Sequence, residues 1–234
     1  MSNSPAGLQR RITHLKADLV EQGRRVQALV EAGIEAVFTR DTVAAGRVVE
    51  MDEVVDRVDI DIEKAAVQIL TDACGEGAAM EAADLRLLLT IVKVNNELER
   101  IADVGCSIAE QVPGLERVGT PLPPTFRVLC NSVIGILRDA VGSLDRLDPE
   151  MARVVLLSEE AAHEFKRALV RDSQEQLARG RMNIDLALGL GEVATLSVVI
   201  IDHCTNIAEQ IIYVGSGTIV RHMQGKWEEV KPRA

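Results

Sequence analysis

The chemistry in this chain rests with acids set four residues apart. Glu99 and Asp103 lie in the string Glu97-Leu-Glu-Arg-Ile-Ala-Asp103-Val-Gly-Cys-Ser-Ile-Ala-Glu110, where a helical repeat puts both carboxylates on one side, one turn apart. Asp52 and Asp56 repeat the arrangement, and Asp59 and Glu63 extend it into a file of acids spaced four, three and four. Like charges at such spacings cost a few tenths of a kcal/mol, which a solvated face tolerates. Two pairs on neighbouring helices would instead present four hard oxygen donors, a set suited to divalent or trivalent cations.

Much of the Glu97 string returns as Ser197-Val-Val-Ile-Ile-Asp202-His-Cys-Thr-Asn-Ile-Ala-Glu209-Gln. Aligned, Ile101, Asp103, Ile108, Ala109, Glu110 and Gln111 meet identical residues, so the chain reads as an internal duplication. The copies differ where chemistry is concerned: Val198 takes the place of Glu99, leaving Asp202 without a partner on its own helix. In the helix equivalent to the one bearing Asp52, Glu159 stands for Asp52 and His163 for Asp56. An acid and a histidine four apart can still chelate, and His is a common transition-metal ligand. The second group offers three matched ligands, or four if His203 turns inward, and its expected affinity is the lower of the two.

The elements that must position these residues are helices. Ile91, Val94, Leu98, Ile101, Gly105, Ile108 and Val112 step three and four, as one stripe of a helix packed lengthwise on others. Leu190, Val193, Ser197, Ile200, Cys204, Ile207 and Ile211 repeat that stripe, and Val48, Met51, Val55, Val58, Ile62, Ala65 and Ile69 form a third. An aromatic content of 2% beside a hydrophobic fraction of 47% leaves the core to Leu, Ile, Val and Ala, the usual filling of a helical bundle. The expected fold is all-α: two tandem three-helix bundles, six long helices in all, related by the repeat.

In order, the first helix runs from Leu8 to about Thr39, with Gly23 and Gly33 inside it. Asp41 and Thr42 cap the second, and Cys74-Gly-Glu-Gly77 ends it. Thr120-Pro-Leu-Pro-Pro124 cannot be helical internally, which divides the chain into residues 1–118 and 119–234. The fourth helix covers Thr125 to Leu147 with Val128, Leu129, Val133, Ile136, Leu137, Ala140 and Leu144 inward. Asp148-Pro149-Glu150 starts the fifth, with Val154, Val155, Leu157, Ala161, Phe165 and Leu169 inward, and Asn183 or Asp185 opens the sixth. The tail from Arg221 reads as polar and loosely held, with Trp227 available to dock on the bundle.

The net charge of -10 argues against nucleic acid as a main partner. No stretch of about 18 apolar residues is free of charge, since Asp202, His203 and Glu209 interrupt the longest, and no signal-peptide core is visible. The expectation is a cytoplasmic protein without direct membrane insertion. Cys74, Cys106, Cys130 and Cys204 lie far apart and read as buried or half-buried thiols of a reduced compartment.

Two three-helix repeats bearing Asp52-x-x-x-Asp56, Leu98-Glu-Arg-Ile-Ala-Asp103 with Ile108-Ala-Glu110, and Asp202-His203-x-x-Asn206-Ile-Ala-Glu209 resemble the PhoU family of phosphate-uptake regulators over nearly the whole chain. The resemblance implies a non-catalytic, cytoplasmic negative regulator of phosphate uptake and the phosphate-starvation response. It would act as an adaptor between the ATPase of a phosphate ABC transporter and a sensor histidine kinase, often as a homodimer. It also implies clusters of iron or other cations, with zinc, manganese and nickel as candidates, held by Asp52, Asp56, Glu99 and Asp103, and in the second half by Glu159, His163 and Asp202. The alternatives are a metal-free helical scaffold, a diverged paralogue with another partner, and a ferritin-like di-iron enzyme, for which Glu160-x-x-His163 is the sole matching motif.

Overall fold

The computed structural model describes residues 5–75, 80–115, 119–217, 219–223 and 226–230. Among them the long helices are α1 (Pro5–Thr39), α2 (Thr42–Gly75), α3 (Ala82–Ala109), α5 (Pro124–Arg146), α6 (Pro149–Ala178) and α7 (Ile184–Ser216). A single turn, α4 (Val112–Leu115), follows α3, and strands β1 (Ile219–Met223) and β2 (Lys226–Val230) close the chain. The boundaries obey local chemistry. Asp41 Oδ1 accepts from the Val43 and Ala44 amides at 2.9 and 3.0 Å, Asp148 Oδ1 from Glu150 and Met151, and Asn183 Oδ1 from Leu186. Each of these caps satisfies N–H groups that a helix start leaves open.

The helices α1, α2 and α3 pack on one another, as do α5, α6 and α7; α3 lies along α7 and α1 against α5, so the two triplets share a wall. The fold is all-α apart from the terminal hairpin, as the periodicity requires. The expected division after residue 118 falls beside residues 116–118, outside the described ones, as does Gly77 at the end of α2. All seven residues of the α3 stripe and all seven of its α7 counterpart are buried. Among the described residues, α7 is the one helix long and apolar enough to cross a membrane. Its buried face packs within the fold against α3, α5, α6, α4 and β1, while Ile184 and Leu188 are exposed.

Three expectations are corrected. Val128 on α5 and Val154, Leu157 and Ala161 on α6 are exposed, while Ala152, Val155, Leu156, Ala162 and Leu169 form the inner face of α6. Adjacent apolar pairs, Val154 with Val155 and Leu156 with Leu157, leave the phase open to one residue, and alanines decide it by allowing close approach. Cys74 is exposed rather than buried. The tail is an antiparallel hairpin pairing Ile219 with Val230 and Met223 with Lys226, and Val220 is buried against the bundle. Its β-branched residues favour strands, a signal that its polar residues conceal. The side chain of Trp227 lies outside the described residues.

The first triplet depends on a close crossing of α1 and α3. A Cβ on Gly33 would stand 2.9 Å from the carbonyl oxygen of Gly105, and one on Gly105 would stand 2.5 Å from Leu29 Cδ2. Both glycines therefore serve contact and not flexibility. Gly33→Ala is expected to destabilise by about 1–3 kcal/mol despite its gain in helix propensity. Gly46→Ala, with nothing within 4 Å of the added methyl, is expected to stabilise by up to about 1 kcal/mol. Urea denaturation of both variants checks the contrast.

Candidate metal sites

On α2 the core takes Val48, Val55, Ile62 and Ile69, so the acids at 52, 56, 59 and 63 fall beside that stripe. On α3 it takes Leu98, Ile101 and Ala102, which leaves Glu99 and Asp103 on the flank. Antiparallel packing of the two helices then opposes the two files. Burial raises the Asp52 carboxyl above its ordinary range, and the negative charges of Asp56 and Asp103 raise it further. Glu99 is raised by burial and then by Asp103, Asp59 and Asp56, with Arg100 giving partial relief. The expected quartet is thus one electrostatic group, and Asp59 belongs to it.

That group has oxygens without protein partners. Asp52 Oδ1 is buried and accepts no hydrogen bond. Asn95 on α3 donates to the Asp59 carbonyl and to Asp59 Oδ1 at 3.0 and 2.7 Å, which fixes its amide and leaves its own buried Oδ1 unmatched. A cavity of about 260 Å³ lies there, lined by Asp59, Glu63, Asn95 and Glu99 among others. Cys106, one turn beyond Asp103, is pushed up to about 12 by burial first and then by Asp52, so its thiol stays protonated and is a poor ligand until a cation displaces the proton. The raised carboxyls of Asp52, Asp59 and Glu99, unmatched buried oxygens and an all-oxygen donor set fit a hard cation. Sequence spacing pointed to the acids. Asn95 was missed, because nothing in its spacing distinguishes it from a core-facing amide.

The second half is the more compact of the two groups. Ligand atoms of Glu159, His163 and Asp202 all lie within 4.8 Å of one another, the group of that kind found among the described residues. These are the counterparts of Asp52, Asp56 and Asp103, while Val198, 7% exposed, fills the place of Glu99 with apolar bulk. Asp202 stands at the exposed edge, yet the protein on its other side withdraws enough water to raise its carboxyl against the lowering influence of His163, His203 and Lys166. A mixed nitrogen and oxygen set of this kind suits zinc, iron, manganese or nickel.

His203 does not join that set as a fourth ligand. Its Nδ1 meets Glu97 Oε2 at 2.7 Å, and Asn206 Nδ2 donates to the same oxygen at 3.0 Å, clasping α7 to α3. Glu160 is likewise turned away, bound to Arg167 at 2.7 Å on the exposed side of α6. The Glu160-x-x-His163 motif of the di-iron alternative therefore does not assemble, and the acids flank the core instead of pointing into it.

A family profile described as PhoU domain matches the chain twice, at residues 19–112 and 126–211. The phosphate-specific transport system accessory protein PhoU homolog 1 of Thermotoga maritima is 26% identical over 211 residues, covering 89% of each chain. The accessory protein PhoU of Escherichia coli K12 is 27% identical over 214 residues, covering 90% of this chain and 86% of that one. Among solved structures, the phosphate transport system regulatory protein PhoU from Streptococcus pneumoniae superposes with a TM-score of 0.81 at 17% identity, covering 92% of this chain and 99% of that one. PhoU from Pseudomonas aeruginosa gives 0.79 at 24% identity, covering 90% and 99%. The structural likenesses establish the fold.

Removing one charge from the first group tests its electrostatics. In chelator-treated protein Asp52→Asn is expected to raise stability by a few tenths of a kcal/mol, the usual scale of like-charge relief. A carboxyl held above its unfolded pKa contributes stability when protonated and loses it as pH rises. The advantage of Asp52→Asn should therefore be present at neutral pH and fade on acidification, as read by urea titrations at both conditions.

Proposed function

The chain belongs to the PhoU family, and from that membership we propose that it is an accessory regulator of a phosphate transport system. In this reading it is a cytoplasmic, non-catalytic adaptor that joins the transporter's ATPase to a sensor histidine kinase and restrains the starvation response when phosphate is plentiful. It works as a homodimer and holds metal cations in both halves. Its relatives, named as phosphate-specific transport system accessory proteins, support the transport role. One observation carries the metal reading: acids and a histidine at equivalent positions gather at the flanks of α2 with α3 and of α6 with α7, in a chain that matches the same domain twice.

Metals bound there would supply charge neutralisation and cross-linking between paired helices. Neutralising Asp52, Asp56, Glu99 and Asp103 would rigidify α2 against α3, and a bridge from His163 to Asp202 would do the same for α6 and α7. An adaptor acts only if partners bind two states of the protein differently, and helix pairs that tighten or loosen provide such states.

Elemental analysis of tag-free protein by plasma mass spectrometry tests this. The natural chain is expected to carry stoichiometric iron, zinc, manganese or nickel. Asp52→Ala with Glu99→Ala should lose the share of the first half, and His163→Ala with Asp202→Ala the share of the second. Negligible metal in all three proteins would remove cations from the mechanism and leave a metal-free scaffold.

A further inference from the structure

A second kind of site lies at the seam between the repeats, where α3, α7 and β1 enclose a polar cavity of about 530 Å³. Lys93, Asn96, Glu97 and Arg100 enter it from α3, Glu209 and Gln210 from α7, and Arg221 from β1. The steps from 93 to 96, 97 and 100 put the α3 residues on one face, which borders the acid file at Asn96, a residue that also lines the cavity of Asp59, Glu63 and Glu99.

The acids in this cavity are already engaged. Glu97 accepts from His203 and Asn206, and these contacts, with Arg100, hold its carboxyl below the usual range despite burial. Glu209 is paired with Arg221. The donors make no direct contact of this kind: Lys93 and Arg100 take part in no hydrogen bond or ion pair among the described residues, and neither does Asn96, although the Arg100 charge acts on Glu97 and Glu99. Gln210 is only 9% exposed, lines the cavity, and makes no hydrogen bond among the described residues. The open valences of the cavity are therefore an ammonium, a guanidinium and two amides, in a chain whose net charge is -10.

We propose that this cavity binds a tetrahedral oxyanion, phosphate either as the free ion or as the phosphoryl group of a small monoester, through Lys93, Arg100, Asn96 and Gln210. Guanidinium and ammonium groups give the strongest charge-assisted bonds to phosphoryl oxygens, and the amides complete a neutral side of the cradle. A cation is disfavoured there because Lys93, Arg100 and Arg221 outnumber Glu97 and Glu209 among the charged residues of the lining. The volume exceeds that of a bare phosphate, which leaves room for ordered water or for the remainder of a monoester. Bound there, the anion would touch α3 and α7 at once and so bridge the two repeats. The proposal stands apart from the metal-binding reading, since it uses none of the same ligands.

Isothermal titration of the full chain, chelator-treated and at constant ionic strength in chloride, tests it with inorganic phosphate and glucose 6-phosphate as probes. Saturable binding of at least one is expected. Lys93→Ala with Arg100→Ala should weaken it by about tenfold or more, the scale of losing charge-assisted bonds. Gln210→Leu should weaken it less, and tighter binding of one probe identifies the free ion or the monoester as the better ligand. Both basic residues are exposed, so circular dichroism of the double variant should match the natural chain. No saturable binding of either probe, or an affinity in the double variant within about twofold of the original, would overturn the proposal.

Discussion

The lengthwise contact between α3 and α7 is the constraint on which the rest of this molecule depends. Each helix belongs to a different triplet, yet Ile91, Leu98, Ile101 and Ile108 on one and Val193, Ile200, Ile207 and Ile211 on the other are essentially withdrawn from water. Full burial of each such side chain contributes about 1.5–3 kcal/mol, so most of what orders the two helices is apolar and non-directional. Direction comes from the rim. The Glu97 carboxylate, held by His203 and Asn206, fixes how far one helix can slide along the other, because a slip of one residue would break both bonds and strand a half-buried charge.

With that wall set, each triplet has one edge where polar side chains crowd beside the core, and there the chain accepts electrostatic strain. On α2 and α3 burial and neighbouring acids raise the carboxyls of Asp52 and Glu99, and Asp52 Oδ1 is left unmatched. On α6 and α7 the same positions have been relaxed: His163 replaces an acid, Val198 replaces another, and the remaining three groups draw together. The two halves express one geometry with different charge. The first, richer in carboxylate, repels itself and stands looser, while the second, with mixed donors and an apolar neighbour, closes up. Equivalent backbones thus yield donor sets of unlike hardness.

The sequence displayed the stripes of α2, α3 and α7, the caps at Asp41, Asp148 and Asn183, and the opposition of Asp52 and Asp56 to Glu99 and Asp103, because each depends on spacing along one or two neighbouring helices. It did not display what depends on contacts between distant segments. The phase of α6 turned on alanines whose inward placement only the partner helices require, and the hairpin turned on Val220 finding the bundle. Glu97 reads in sequence as one more acid beside Glu99. Only the register of α3 against α7, residues far apart in the chain, shows that it faces His203 and belongs to the seam.

That register also sets how the flanks of α3 influence one another. Arg100 lowers both Glu97 and Glu99, so the guanidinium between the seam and the acid file acts on both. An anion held by Arg100 would cancel part of that positive charge as felt by Glu99 and Asp103, and a cation among those acids would in turn strengthen the field attracting the anion. Opposite charges on adjacent faces of one helix favour each other, and the coupling must be reciprocal in free energy. Its size is limited by solvent screening at the exposed side chains. Helix α3 therefore links three things by proximity alone: the acid file toward α2, the clasp onto α7, and the donor-lined cavity beneath β1. Loading either side of α3 would change the balance of charge at the wall that holds the two repeats together.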